Sequence, residues 1–195
     1  KREPAPNSPP KGKKRTGTKF DKLSNKEENV KNQIIIIRII LIILLIITFF
    51  YIFNFSSQDS EKSGNLSRTI TVSVTKNIKK IQELDYNKKN DVLNTIEKVI
   101  RKLAHFSEYT FLGILLMSLM STYNLKQTNK FIISIGIGFL YACSDEFHQL
   151  FVPGRTAKFT DVLIDTSGVI VGSVIIFILI FIINKYIIRK KAIDG

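Results

Sequence analysis

The feature that most constrains this chain is a set of long runs that contain no charged residue. Four such runs occupy residues 39–58, 109–125, 131–144 and 166–184. About 20 apolar residues in a helix cross the ~30 Å hydrocarbon core of a bilayer. Helices and closed barrels are the only structures that satisfy every backbone polar group inside a membrane. The sequence therefore predicts an all-α integral membrane protein with four transmembrane helices.

The segments around these runs set the predicted domain boundaries. Residues 1–33 are polar and basic and hold every proline except Pro153, so we predict a disordered tail there. The first transmembrane helix is predicted at 34–54, and a core with the other three at 103–185. Residues 186–195 form a short basic C-terminal tail. A cleaved signal peptide is disfavoured by the long polar stretch before the first run and by the lack of a small-residue cleavage site after it.

The polar connection at residues 55–102 carries a weaker helical signal. Apolar side chains recur at helical spacing within 70–81 and within 92–103. Such a pattern is typical of amphipathic helices that lie on a membrane surface or against a helix bundle. We therefore predict amphipathic surface helices between the first and second transmembrane helices.

Charge orients the chain and narrows its partners. The net charge is +13, which could indicate nucleic-acid binding. The Lys and Arg residues flank the apolar runs, however, as the positive-inside rule predicts, and they also attract anionic headgroups. We therefore expect membrane lipids rather than nucleic acid as partners. With four crossings, we expect both basic termini to lie in the cytoplasm. The single Cys143 excludes an intramolecular disulfide.

This topology brings three sets of polar residues to the outer membrane face, at the start of span two, the end of span three and the start of span four. The candidate site residues are Arg101, His105 and Glu108; Asp145, Glu146, His148 and Gln149; and Arg155, Asp161 and Asp165. Several of these lie three or four residues apart, on one helical face. Ionisable residues in a membrane are costly, so they mark a functional site by default.

Chemistry suggests roles for these residues. Glu146, His105 and Asp161 are the candidate general acids or bases, and the other seven are candidate binding residues. Arg155 follows a Pro-Gly turn and could bind an anionic group through two parallel hydrogen bonds. Two alternatives stay open: a self-neutralising ion-pair network, and a metal held by His and carboxylates. The spacing matches no recognised ligand pattern, so no metal or cofactor is assigned.

Four segments resemble motifs of the VanZ-like family. They are Phe55–Gln58 with Ser63 and Ser67, Arg101–Tyr109 with Leu112-Gly113, Asp145–Arg155, and Asp161–Leu163 with Asp165, Gly168 and Gly172. The resemblance implies a protein of the bacterial plasma membrane, and the founding member is linked to reduced teicoplanin susceptibility. Asp165 stands where the family often has Asn, which favours Glu146, Gln149, Arg155 and Asp161 as the important residues.

Three functional hypotheses follow. The first is an enzyme or processing factor for an anionic, lipid-linked envelope precursor, with a contribution to teicoplanin-type resistance. The second is a non-catalytic accessory protein that binds an anionic lipid or a glycopeptide. The third is a small transporter component, for which four helices are few unless the chain forms an oligomer.

Overall fold

The computed structural model describes residues 19–58 and 60–194, which form helices joined by short turns and contain no strand. The helices are α1 (Lys19–Ser56), α2 (Ser60–Thr75), α3 (Lys79–Gln82), α4 (Tyr86–Ser121), α5 (Gln127–Gln149) and α6 (Phe159–Asp194). The prediction of an all-helical protein is therefore confirmed for the described residues.

Three helices are long and apolar enough to cross a membrane. They are Lys22–Ser56, Tyr86–Ser121 and Phe159–Lys190 among the described residues. Helix α5 is not among them, because polar residues occupy both of its ends. Its uncharged part, residues 131–144, extends only ~21 Å at about 1.5 Å per residue, against ~30 Å of hydrocarbon. The structure thus supports three of the four predicted spans, and the fourth stays a prediction.

The long helices extend beyond the apolar runs that predicted them. Helix α1 begins at Lys19 rather than residue 34, and α4 begins at Tyr86 rather than residue 103. Helix α6 continues to Asp194 instead of ending near residue 185. Extending an existing helix costs far less than starting one, and the added segments contain neither Gly nor Pro. Residues 19–33, predicted as disordered, are therefore helical, while residues 1–18 of that predicted tail lie outside the described residues.

The chain divides into two compact units, residues 1–37 and residues 38–195. In the first unit, the described residues form the start of α1, and the side chains of residues 22–33 are exposed. The second unit contains a buried apolar core. Its members come from four helices and include Ile52, Tyr109, Leu112, Ala142 and Val169.

Small residues bring α4 and α6 into backbone contact. A Cβ atom built on Gly172 would lie 2.0 Å from the carbonyl oxygen of Thr110, and one on Gly168 would lie 2.6 Å from that of Phe106. From the other side, a Cβ on Gly113 would lie 2.3 Å from the carbonyl oxygen of Val169. The absence of side chains at Gly113, Gly168 and Gly172 thus allows the two helices to approach closely.

Two contacts along α4, one at its C-terminal end and one nearer its middle, define how α1 runs beside it. At its C-terminal end, Arg38 of α1 donates from Nε to Thr122 Oγ1 at 3.0 Å and from Nη2 to the Thr122 carbonyl oxygen at 2.7 Å. Nearer its middle, the ring of His105 lies 5.9 Å from that of Phe55, close to the end of α1. Helices α1 and α4 are therefore antiparallel, and the C-terminal end of α1 lies beside the polar part of α4.

Helix α2 packs in a way that its sequence pattern did not predict. The side chains buried against its neighbours are the hydroxyl-bearing Ser67, Thr71 and Thr75, while Ile70 and Val74 are exposed. Two of these hydroxyls are satisfied locally, because Thr71 and Thr75 each donate to a carbonyl one turn earlier at 2.8 Å. Helix α2 contacts α4. Its apolar side is thus left facing outward.

Candidate functional site

A polar cavity of about 200 Å³ lies where the middle of α4, the end of α5 and the start of α6 meet. We call it the polar cavity. Its lining residues are Lys98, Arg101, Lys102, His105, Glu146, Gln149, Gly154, Arg155, Thr156, Lys158, Asp161, Ile164 and Asp165. Seven of the ten predicted site residues are in this lining. The three polar segments that the sequence predicted to converge do so.

The turn between α5 and α6 supplies one wall of the polar cavity. Gly154 has a φ of 73°, a left-handed conformation that side chains other than glycine's rarely adopt. This confirms the turn predicted at Pro153–Gly154. The turn directs Arg155 into the cavity lining, and its Nε donates to the carbonyl oxygen of Gln58 at 3.3 Å. Arg155 therefore links the cavity to the segment that follows α1.

Glu146 is a buried acid of the polar cavity whose position is fixed by a backbone donor. Its side chain is 6% exposed, and its Oε2 accepts a hydrogen bond from the Lys158 backbone N–H at 2.8 Å. A backbone N–H is a rigid donor, so the carboxylate is held at a defined place in the cavity wall. Such placement is what a general acid or base requires.

Asp161, by contrast, is engaged in an ion pair. Lys102 Nζ lies 2.5 Å from Asp161 Oδ1, and both side chains are partly exposed. Arg101 pairs with Glu97 one turn earlier on α4, at 3.2 Å. Three charged residues of the lining, Arg101, Lys102 and Asp161, therefore take part in ion pairs, which agrees in part with the alternative of an ion-pair network.

His105 occupies an unusual position in the cavity wall. Its Nδ1 lies 3.5 Å from Glu108 Oε2, a separation too long for a strong hydrogen bond. Both atoms are buried and have no hydrogen-bond partner within the described residues. Buried polar atoms without partners carry a substantial free-energy cost. This pair thus holds two buried polar atoms whose hydrogen-bonding capacity is not met within the described residues.

Three predicted site residues lie outside the polar cavity. Glu108 lines a second cavity, between α1 and α4. His148 shares a hydrogen bond of 3.1 Å with Ser57 Oγ, and its ring lies 4.5 Å from that of Phe53. Asp145 is 3% exposed and accepts from Gln149 Nε2 at 3.2 Å. His148 therefore attaches α5 to the segment that follows α1, whereas the bond of Asp145 lies within α5, and neither residue lines the polar cavity.

The end of α1 contributes residues that the sequence analysis did not include among the site candidates. Gln149 Nε2, besides its bond to Asp145, donates to Ser56 Oγ at 2.8 Å, and Ser56 is fully buried. Ser56 belongs to the Phe55–Gln58 motif, so the resemblance carried a signal for it.

Lys98 of α4 is another cavity residue that the sequence analysis did not include. It precedes Arg101 and His105 by three and seven residues, a helical spacing that could have identified it.

The charge balance of the polar cavity favours an anion. Basic side chains outnumber carboxylates in the lining: the bases are Lys98, Arg101, Lys102, Arg155 and Lys158, and the acids are Glu146, Asp161 and Asp165. Arg and Lys side chains bind phosphate and carboxylate groups through charge-assisted hydrogen bonds. Within the described part of the chain, no group of three or more His, Cys, Asp and Glu side chains is arranged to share a metal ion.

Comparison with known proteins identifies the family. No curated protein and no solved structure matches the chain significantly. The family model described as VanZ/LLP1 matches residues 39–181. That match covers well over half of the 195 residues and includes every helix end that builds the polar cavity. The chain belongs to the VanZ/LLP1 family.

Proposed function

We propose that this protein binds the anionic headgroup of a lipid-linked molecule of the bacterial cell envelope in the polar cavity, at the outer face of the plasma membrane. The observation that supports it best is the excess of Lys and Arg side chains in the cavity lining. Arg155 is the principal binding residue in this proposal, since a guanidinium matches phosphate or carboxylate oxygens in two-point geometry. If the bound molecule is also the target of a glycopeptide antibiotic such as teicoplanin, its binding here would change the susceptibility of the cell to that antibiotic.

The proposed topology has four crossings, with α5 as the third and both termini in the cytoplasm. Contacts along α5 support it. Near its start, Phe131 packs on Phe177 of α6 with ring centroids 5.5 Å apart, and Ser134 contacts Met117 near the end of α4. At its other end, Glu146 bonds Lys158 near the start of α6. Helix α5 therefore runs antiparallel to two apolar helices, and the polar residues Asp145, Glu146 and Gln149 at its C-terminal end are buried.

The headgroup proposal is tested with Arg155→Ala and purified protein in nanodiscs. Charge-assisted hydrogen bonds contribute about 1.5–3 kcal/mol, so binding of phosphatidylglycerol should weaken by about 10- to 100-fold. Arg68→Ala removes an exposed arginine outside the cavity and should leave binding unchanged. Arg155→Lys should retain part of the affinity.

The same titration has an outcome that would refute the proposal. If wild-type protein binds phosphatidylglycerol no better than phosphatidylcholine, the polar cavity is not an anion site. Replacing His148 should not affect binding, because His148 bonds Ser57 outside the cavity. Parallel measurement of teicoplanin susceptibility in cells that carry Arg155→Ala connects the site to an envelope phenotype.

A second candidate function is catalysis on the bound ligand, which the position of Glu146 favours. Its carboxylate is enclosed, faces the cavity and is held by the Lys158 N–H. In this case Glu146 is the general acid or base, His105 assists it, and Asp161 positions Lys102. Glu146→Gln keeps the size and a hydrogen-bond acceptor, so it should retain ligand binding while abolishing turnover. Unchanged envelope lipid composition in cells with Glu146→Gln would remove the catalytic hypothesis and leave the binding one.

A further inference from the structure

We propose that the second cavity, between α1 and α4, holds a hydrocarbon chain of the same lipid whose anionic headgroup occupies the polar cavity. We call this cavity the α1–α4 groove. The inference rests on the proposed function and extends it, because it specifies where the apolar part of the ligand binds. It implies that the ligand is recognised as an intact membrane lipid and not as a soluble anion.

The lining of the α1–α4 groove suits an apolar occupant. The groove measures about 410 Å³, within the range of ligand cavities. Its lining residues are Ile47, Thr48, Tyr51 and Ile52 of α1 and Ser107, Glu108 and Phe111 of α4. The two small hydroxyls are already satisfied, since Thr48 donates to the Leu44 carbonyl at 2.8 Å and Ser107 to that of Leu103 at 2.7 Å. They therefore do not require polar groups from a ligand. The one acidic lining residue, Glu108, lies 3.5 Å from His105 of the polar cavity, so its carboxylate is placed where the groove adjoins that cavity.

The groove is open towards the lipid side. Helix α4 approaches α1 less closely than it approaches α6. Ile47 and Tyr51 are each 58% exposed, and Phe111 is 51% exposed. In a membrane-spanning helix pair such apolar side chains face hydrocarbon, so a lipid chain is the molecule available to fill the space between them.

The groove and the polar cavity are neighbours, separated by one aromatic side chain. The ring of Phe55 lies 6.4 Å from that of Tyr51, which lines the groove, and 5.9 Å from that of His105, which lines the polar cavity. The two cavities also adjoin along α4, because Glu108 Oε2 in the groove lies 3.5 Å from His105 Nδ1 in the polar cavity. A single lipid can therefore place its headgroup on one side of Phe55 and the start of a chain on the other.

The depth of the groove agrees with the structure of a lipid. Ile47 and Tyr51 precede Ser56, at the end of α1, by nine and five residues, which corresponds to ~8–14 Å along a helix. If the polar cavity lies in the headgroup layer, the groove lies in the upper part of the hydrocarbon layer, where the chains of a bound lipid begin.

Photocrosslinking tests the inference. The probe is phosphatidylglycerol with a diazirine in the middle of one acyl chain, and its control is phosphatidylcholine with the same chain, each in nanodiscs. After irradiation of the full chain, mass spectrometry should find adducts in the 47–52 and 107–111 segments. The yield with the phosphatidylglycerol probe should be several-fold higher than with the phosphatidylcholine probe, because only the former has a headgroup that fits the polar cavity.

A matched pair of substitutions sharpens the experiment. Ser107→Trp fills the groove from an exposed position and should lower the adduct yield at least about fivefold, because a filled site does not tolerate an added occupant. Leu103→Trp adds the same side chain one turn earlier, at a 57% exposed position that lines neither cavity, and should leave the yield unchanged. Equal labelling by both lipids, or adducts spread evenly along the exposed side of α1, would overturn the inference; neither outcome depends on the folding of a variant.

Failure of the inference is distinguishable from failure of the proposed function. Binding of the soluble headgroup glycerol phosphate to the detergent-solubilised protein reports on the polar cavity alone. If glycerol phosphate binds and Arg155→Ala abolishes it, but the groove shows no adducts, the groove inference is wrong and the headgroup proposal stands. If neither binding nor adducts are found, both are wrong.

Discussion

Lys102 on α4 and Asp161 on α6 form an ion pair, with 2.5 Å between Nζ and Oδ1, inside the lining of the polar cavity. The pair joins residues 59 positions apart in sequence and connects the two helices that pack most closely. It also neutralises one of the cavity's cations. Exposed ion pairs contribute only about 0–1 kcal/mol to stability, so the main consequence of this pair is electrostatic.

Asp161→Asn should therefore strengthen the binding of an anionic headgroup. The change removes one carboxylate and releases Lys102, and the loss of one unfavourable charge near a solvated ligand corresponds to ~1 kcal/mol, or roughly fivefold in affinity. Titration with phosphatidylglycerol in nanodiscs measures the effect. Asp91→Asn removes an exposed carboxylate from the polar start of α4 and serves as the control. Weaker binding by Asp161→Asn would indicate that Asp161 contacts the ligand directly.

Gly172→Ala should destabilise the fold. The added Cβ would lie 2.0 Å from the Thr110 carbonyl oxygen, so α4 and α6 would have to separate. Overpacking of this kind costs about 1–3 kcal/mol. Gly136→Ala is the matched control, because nothing lies within 4 Å of its Cβ position, and alanine favours helix by about 1 kcal/mol relative to glycine. Thermal unfolding in detergent, followed by circular dichroism, should show opposite shifts for the two variants.

Arg38→Ala should lower stability without affecting ligand binding. Arg38 donates to both the hydroxyl and the carbonyl oxygen of Thr122, and its guanidinium lies 4.0 Å from the ring centre of Tyr123. Loss of a cation that bonds the carbonyls at a helix end costs about 1–2 kcal/mol. Lys126→Ala, an exposed change just beyond that helix end, is the control. Reduced affinity for phosphatidylglycerol in Arg38→Ala would contradict the separation of the two ends of α4.

The four-crossing topology predicts opposite accessibility for two turns. In a Cys143→Ser background, Thr156→Cys should react with a membrane-impermeant maleimide in intact cells, whereas Lys126→Cys should react only after lysis. Both positions are exposed. They lie at opposite ends of α5, so their accessibility differs only if α5 crosses the membrane. Labelling of both from outside would leave three crossings, and would rule out the proposed orientation of the chain.

The sequence located the helices that carry the site but not their full lengths. Uncharged runs identify where lipid contact is required, and the runs within α1, α4 and α6 lie in helices long enough to cross. They contain no information about where a helix ends in water. The first two turns of α4, for instance, are polar, and only the absence of Gly and Pro from Tyr86 to Leu112 allows the helix to extend there. For α5, an apolar run of marginal length left the crossing undecided.

For the site, too, the sequence predicted some relationships between residues and missed others. Helical spacing grouped Arg101 with His105, and the structure brings them together with Glu146 and Asp161 in one cavity, in agreement with the predicted convergence of three polar segments. Spacing within a helix cannot predict which partner a side chain selects on another helix. The bond from Gln149 to Ser56 spans 93 residues, and the pairing of Asp161 with Lys102 depends on how far α6 is shifted along α4. Both were accessible only from the structure.

The glycine contact between α4 and α6 has a consequence for how a ligand enters and leaves. Two helices that touch backbone to backbone cannot slide or separate without losing that contact, so this side of the polar cavity is rigid. Exchange is then expected to depend on displacement of the 150–158 turn. Because that turn carries Arg155, the proposed binding residue, opening of the entrance would also withdraw Arg155 from a bound headgroup. The hydrogen bond from Arg155 Nε to the carbonyl oxygen of Gln58 is one of the interactions that this movement would have to break.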